Sequence, residues 1–141
     1  MGYRSDVAVG MAFVNKAAAR EFVLKVQACQ PEDVREALTE YSAVFGSSEQ
    51  EPVVFLGHYE DVKWYPSYPD VQAHHLLLSL ALEAGAATRF ARTGEDIGDD
   101  EEQLDGPPAG DLTDILFDAI QIMRRVSCEI PHDAPTPLTL I

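Results

Sequence analysis

The chain predicts an α+β fold: a ferredoxin-like β-α-β-β-α-β sandwich, with a mostly antiparallel sheet and an extra C-terminal strand. Three observations lead there. Residues 5–14 (SDVAVGMAFV) alternate around Val7, Val9, Met11 and Phe13, which is strand periodicity. Residues 16–30 and 69–84 repeat apolar side chains at helical spacing. Between and after these helices lie short apolar runs bounded by Gly, Pro and acidic residues.

Each element has its own local reason. Asn15 precedes the first helix and suits an N-cap, and Ala19, Phe22, Val23, Val26 and Cys29 share one face of that helix. Pro31 opens a second helix, which Glu32 and Asp33 favour at its positive end. Its stripe of Val34, Leu38, Tyr41 and Phe45 predicts a run to Gly46. VVFLGH, at 53–58, reads as a strand buried on both faces. VKWY, at 62–65, reads as its hairpin partner, stopped by Pro66. Pro69 begins a helix whose core face carries Val71, His74 or His75, Leu78 and Leu82, with Gly85 as its end. AATRFART, at 86–93, is a further strand. From Asp111 the pattern is mixed; it predicts a helical turn at 111–116, capped by Asp111, and a strand from 117 to 129. The domain is expected to span 1–130, with 131–141 as an extended proline-rich tail.

Charge is strongly localised. The formal net charge is −14, and 10 of the 24 acidic residues fall between Glu95 and Asp118, a stretch without Lys or Arg. Such a segment does not bind nucleic acid directly, because phosphate contacts need cations. Two readings stay open: a contact surface for a basic partner, through Glu95, Asp96, Asp99, Asp100, Glu101 and Glu102, or an exposed, solvated hairpin or loop that maintains solubility. The calcium-loop spacing is absent from this run, and no paired Cys or His spacing for zinc occurs, so no metal and no cofactor are expected. His74 and His75 are neighbours, about 100° apart on a helix, and do not share a face for a metal. Cys29 and Cys128 read as reduced, buried small residues. No nucleotide-binding glycine motif or nucleophile elbow is present, and no catalytic residue is assigned. With no signal-peptide pattern and no long apolar run, neither secretion nor a membrane span is expected.

One aromatic and basic set stands out. Lys63, Trp64, Tyr65 and Tyr68 have the chemistry of a stacking platform for a base with a nearby phosphate. Tyr3, Arg4, Arg92 and Arg124 complete a candidate ligand site at the strand ends, with Arg89 and Arg125 as further cations. The alternative is structural: Trp64 faces the core, Lys63 faces solvent and the arginines pair with carboxylates.

Three segments together, MGYRSDV, VKWYPSYPDV and RTGEDIGDDEE followed by MRRV, resemble small, mostly uncharacterised proteins of tailed bacteriophages and prophages. The resemblance spans about Met1 to Val126, and the placement of the final strand leans on it. It implies an accessory protein made in the bacterial cytoplasm, and it implies no catalytic activity. The functional expectation is a non-enzymatic protein that binds a host factor, including factors of antiviral defence. A small-ligand binder that sequesters a nucleotide signal is the alternative, and an enzyme without a readable motif is the third. Exposed sheet edges and the apolar tail end make a homodimer compatible with the sequence.

Overall fold

The computed structural model describes residues 2–107, 111–122, 126–128 and 136–137. In chain order the elements are β1 (Ser5–Phe13), α1 (Lys16–Cys29), α2 (Glu32–Thr39), β2 (Ser42–Phe45), β3 (Val53–Val62), α3 (Pro69–Glu83), β4 (Ala87–Gly94), β5 (Asp100–Asp105), α4 (Leu112–Ala119), β6 (Ile120–Ile122), β7 (Val126–Cys128) and β8 (Thr136–Pro137). The main sheet runs β5-β4-β1-β3-β2, antiparallel throughout, and the two-residue β8 adds at the β2 edge. β6 and β7 pair separately. The α+β class and the antiparallel sheet match the sequence pattern.

β1 is the middle strand, paired to β3 and to β4, and its residues from Val7 onward are buried. Its two faces serve two cores. Val7, Val9, Met11 and Phe13 meet Phe55, Phe22 and Val26 of α1, Val34 and Leu38 of α2, and Leu77 of α3. Ala8 and Ala12, on the reverse face, meet Val54, Leu56, Ala87, Ala91, and Leu112 and Leu116 of α4. Helices therefore cover both faces, not one as a ferredoxin-like layout implies. The small side chains on the reverse face let α4 seat close to the sheet.

The local signals account for most ends. The Asn15 side chain accepts a hydrogen bond from the Ala18 N–H at 2.9 Å, capping α1. Pro69 occupies the first turn of α3, and Gly85 takes φ +91 just beyond it. Asp111 holds the N-cap position of α4 but its side chain makes no capping bond.

Several expectations are corrected. The second helix stops at Thr39, and Ser42–Phe45, expected to be helical, is strand β2 paired to β3. Tyr41, Ala43 and Phe45 fit a period of two as well as a helical one, and pairing with β3 decides between them. The predicted hairpin at 53–65 does not exist. Residues 53–62 form one long strand, which pairs with β1 and β2 on its two edges. Lys63, Trp64 and Tyr65 follow the strand and are not part of it. Near its end Asp61 adopts φ +54 where the β1 register shifts, a bulge that turns the chain. The acidic run takes the hairpin form of the two that were open to it, since Asp100–Asp105 forms exposed edge strand β5 paired to β4. The last helix extends to Ala119, beyond the expected turn, so the strand predicted from 117 begins only at Ile120. Cys29 is exposed, not buried, and Leu82 is 40% exposed, outside the core face of α3. Most of the 131–141 tail lies outside the described residues.

Gly10 is the tightest point of the α4 side. A Cβ there would lie 3.0 Å from Ile120 Cδ1 and from Leu116 Cδ2. Gly10→Val is therefore expected to lower stability by about 1–3 kcal/mol through overpacking. Urea unfolding measures the loss, and faster amide exchange in α4 shows where it falls.

Candidate partner-binding site

β1 starts, and β3 and β4 end, at one end of the sheet, beside the turn that leads into β5. That turn, residues 95–99, is closed by the Gly94 N–H donating to the Asp99 carbonyl at 2.8 Å and the Asp99 N–H donating to the Asp96 carbonyl at 3.1 Å. Gly98 adopts φ +86, a conformation that side chains disfavour. The sequence Gly-Glu-Asp-Ile-Gly thus builds a tight reversal between two strands.

Arg92 locks this turn from below. It is 8% exposed. Its guanidinium donates to Asp99 at 2.7 and 3.3 Å, to Glu101 Oε1 at 2.7 and 3.0 Å, and to Ser5 Oγ at 3.0 Å. Cross-strand register explains the Glu101 contact, because Glu101 is the direct partner of Arg92 on β5. The planar fork of Arg92 serves two carboxylates at once, which a lysine cannot do. Hydrogen bonds first from Arg92 and then from Tyr3 hold the Asp99 carboxyl below its ordinary value.

The N-terminal segment completes the clamp. The Tyr3 hydroxyl donates to Asp99 Oδ2 at 2.6 Å and accepts from the Asp96 N–H at 2.9 Å. The Tyr3 N–H donates to the Tyr65 hydroxyl at 2.7 Å. The Arg4 N–H donates to Glu95 Oε1 at 2.7 Å, and its guanidinium donates to the Asp61 carbonyl at 3.0 Å. Gly94 leaves the room, since a Cβ there would collide with the Asp99 carboxylate and the Tyr3 hydroxyl. The expected ligand residues Tyr3, Arg4, Tyr65 and Arg92 and the expected partner residues Glu95, Asp96, Asp99 and Glu101 therefore form one assembly. Two separate sites were expected. Arg124 lies outside the described residues.

The remaining candidates are placed differently. Trp64 packs against the main core, with its ring centroid 5.7 Å from His74, 6.0 Å from Tyr59 and 6.1 Å from Phe90. Tyr65 and Tyr68 meet edge to face at 5.0 Å. Lys63 is half-buried beside Gly2. Asp100 and Glu102 are exposed on β5, with Glu102 3.8 Å from Arg89. Arg89 itself is buried beneath α4, where it donates to the Ile120 carbonyl at 3.4 Å and lies 5.5 Å from the Phe117 ring centre. The acidic hairpin presents Glu95, Asp96, Asp100 and Glu102 outward, with Ile97 fully exposed at its apex. Among the described residues no group of three or more His, Cys, Asp or Glu is arranged to hold a metal ion, and no helix is long and apolar enough to cross a membrane.

Sequence reasoning missed a second polar network. His74 is 2% exposed. Its Nδ1 lies 3.2 Å from the Tyr41 hydroxyl and its Nε2 lies 3.1 Å from the Tyr59 hydroxyl. Because the Tyr59 hydroxyl donates to Glu40 Oε1 at 2.8 Å, it accepts from His74, which places the proton on Nε2. The donors then run in one direction, from Tyr41 through His74 and Tyr59 to Glu40. Only the proximity of Tyr41 to the end of α2 hinted at this, and the pairing depends on β3 bringing Tyr59 across.

Comparison of the chain with protein-family models, with curated proteins and with solved structures finds no match.

Two outcomes follow from these networks. Arg92→Met strands two carboxylates and Ser5. It is expected to cost about 1–3 kcal/mol, limited by the wet side of both acids. Amide exchange at Asp96 and Asp99 should accelerate, and a Tyr3→Phe chain should show a raised Asp99 titration by carboxyl NMR. For His74, burial lowers the pKa from its ordinary 6.5. The unfolded chain therefore binds the extra proton first, and stability falls as pH drops below 6.5. The urea midpoint should decline between neutral pH and pH ~5, with a smaller decline in His74→Gln.

Proposed function

We propose that this chain is a non-enzymatic accessory protein of the phage type that binds a basic host protein through the β4–β5 hairpin. One observation carries the reading: the acidic hairpin is held rigid from inside. The hairpin's outward carboxylates belong to a turn and strand whose position is fixed by Arg92, Tyr3 and Arg4. A loop that serves only solubility has no need of a buried arginine beneath it. A preorganised row of carboxylates binds a cationic surface without first losing chain entropy, and its field speeds encounter. Factors of antiviral defence that bind nucleic acid carry such cationic surfaces, and blocking one is the role we assign.

The three segments behind the resemblance to phage proteins meet in this assembly, through Tyr3 and Ser5, Tyr65, and Arg92 to Glu101. A ferredoxin-like core is part of the same reading. It is supported by the run β4-β1-β3-β2 within the sheet, with β5 and α4 as additions. The nucleotide-signal reading requires Arg92 and Tyr65 to give up hydrogen bonds that they already make, so the hairpin carries the proposal.

The test is affinity capture of a basic protein from bacterial lysate, followed by calorimetry on the purified pair. Asp96→Asn and Asp100→Asn together spare the Arg92 clamp and are expected to weaken binding about tenfold or more, with a flatter salt dependence. Equal affinity at unchanged thermal stability sinks the acidic-surface reading.

A further inference from the structure

Between α3 and the β4–β5 hairpin lies a cavity of about 120 Å³. Strand register and helical spacing build it. On the helix-facing side of the hairpin, Thr88 stands opposite Asp105 and Phe90 opposite Gln103. From α3, His75 and Ser79 come one turn apart, with Leu78 and Leu82 beside them. The next pair along the hairpin is Arg92 with Glu101, so the cavity adjoins the clamp.

The cavity is lined by polar groups, and all but Thr88 are open to solvent. His75, Ser79, Thr88, Gln103 and Asp105 all face it, and among the described residues none of these side chains makes a hydrogen bond or ion pair. Thr88 is only 5% exposed. The aromatic floor is Phe90, with the His75 ring 4.9 Å away.

The chemistry selects one kind of occupant. Asp105 is the only charged group besides His75 in the lining. Burial lowers the His75 pKa, so the imidazole is neutral at neutral pH and does not repel a cation. The Gln103, Ser79 and Thr88 oxygens accept hydrogen bonds, the Phe90 ring attracts a cation, and Leu78 and Leu82 suit an aliphatic stem. At about 120 Å³ the space is well below the 300–1,000 Å³ typical of a drug-sized ligand and fits one side chain.

We propose that this cavity receives a lysine side chain from an extended segment of the basic partner. The inference rests on the partner-binding reading and deepens it. β5 is the edge strand of the sheet, so an extended segment can pair along it. Alternate side chains of such a segment fall on the α3 side, next to Gln103 and Asp105. Pairing of β5 with β5 of a second copy would set carboxylates against carboxylates, so the edge selects a cationic segment over its own kind.

The experiment uses the isotope-labelled full chain and a blocked hexapeptide that alternates lysine with threonine. At low ionic strength the peptide is expected to shift the amide signals of Ser79, Thr88, Gln103 and Asp105. Ser79→Leu fills the cavity from an exposed helix position without a folding penalty, and should weaken binding about tenfold. The same peptide with ε-acetylated lysines should leave those signals in place; equal binding by it overturns cation recognition. Shifts confined to Asp96 and Asp100, unchanged by Ser79→Leu, overturn the cavity and leave the acidic-surface reading standing. No binding of the lysine peptide at all overturns both.

Discussion

The two-sided burial of β1 is the constraint on which the rest of the molecule depends. A strand buried on both faces and paired on both edges has no polar surface available, so every neighbour must supply apolar cover. Val7, Val9, Met11 and Phe13 draw α1, α2 and α3 to one face. The smaller Ala8, Gly10 and Ala12 draw α4 to the other. The strand is polar only where it begins, and there the Ser5 hydroxyl oxygen accepts a hydrogen bond from Arg92. The site therefore forms where the core runs out, at the end of the sheet, where buried backbone meets exposed carboxylates.

Three buried titratable or cationic groups are satisfied in three different ways. Arg92 faces half-exposed carboxylates, so it gains charge-assisted hydrogen bonds while its partners remain partly hydrated. His74 stays neutral and sits in a one-way chain of hydrogen bonds that ends at Glu40, which is itself open to water. Arg89 has the poorest arrangement. It has one long bond to a carbonyl, a loose approach to Glu102 and an Nε without a partner among the described residues. Full satisfaction rigidifies, and partial satisfaction is costly. The Arg92 end of the hairpin is thus the firm end. The seam between β4 and α4 holds a less well satisfied charge.

This arrangement gives the acidity a structure. Asp99 and Glu101 are internal ligands of Arg92, whereas Asp96 and Asp100 point outward and Asp105 lines the cavity under α3. Only the second set is available to a partner. The cavity under α3 lies on the same hairpin, two cross-strand pairs away from the clamp.

By itself the sequence determined the elements whose signals are local. The alternation of β1, the Asn15 cap, the Pro69 start of α3, the Gly85 stop and the acidic composition of 95–105 all depend on neighbours within a few residues. The same locality explains the failures. Tyr41 to Phe45 satisfies both periods, and Val53 to Val62 contains turn-like residues at Tyr59–Asp61 that pairing with β1 overrides. The site was legible as residue types. Tyr3, Tyr65, Arg92 and the acids were all singled out, but under two headings. That they form one clamp follows from the register that sets Arg92 opposite Glu101 and from the turn that brings Asp99 back to Tyr3, 96 positions away. Contacts at such separations leave no periodic trace in the chain, because they are decided by which strand edges and faces find cover. Tertiary structure alone made that choice.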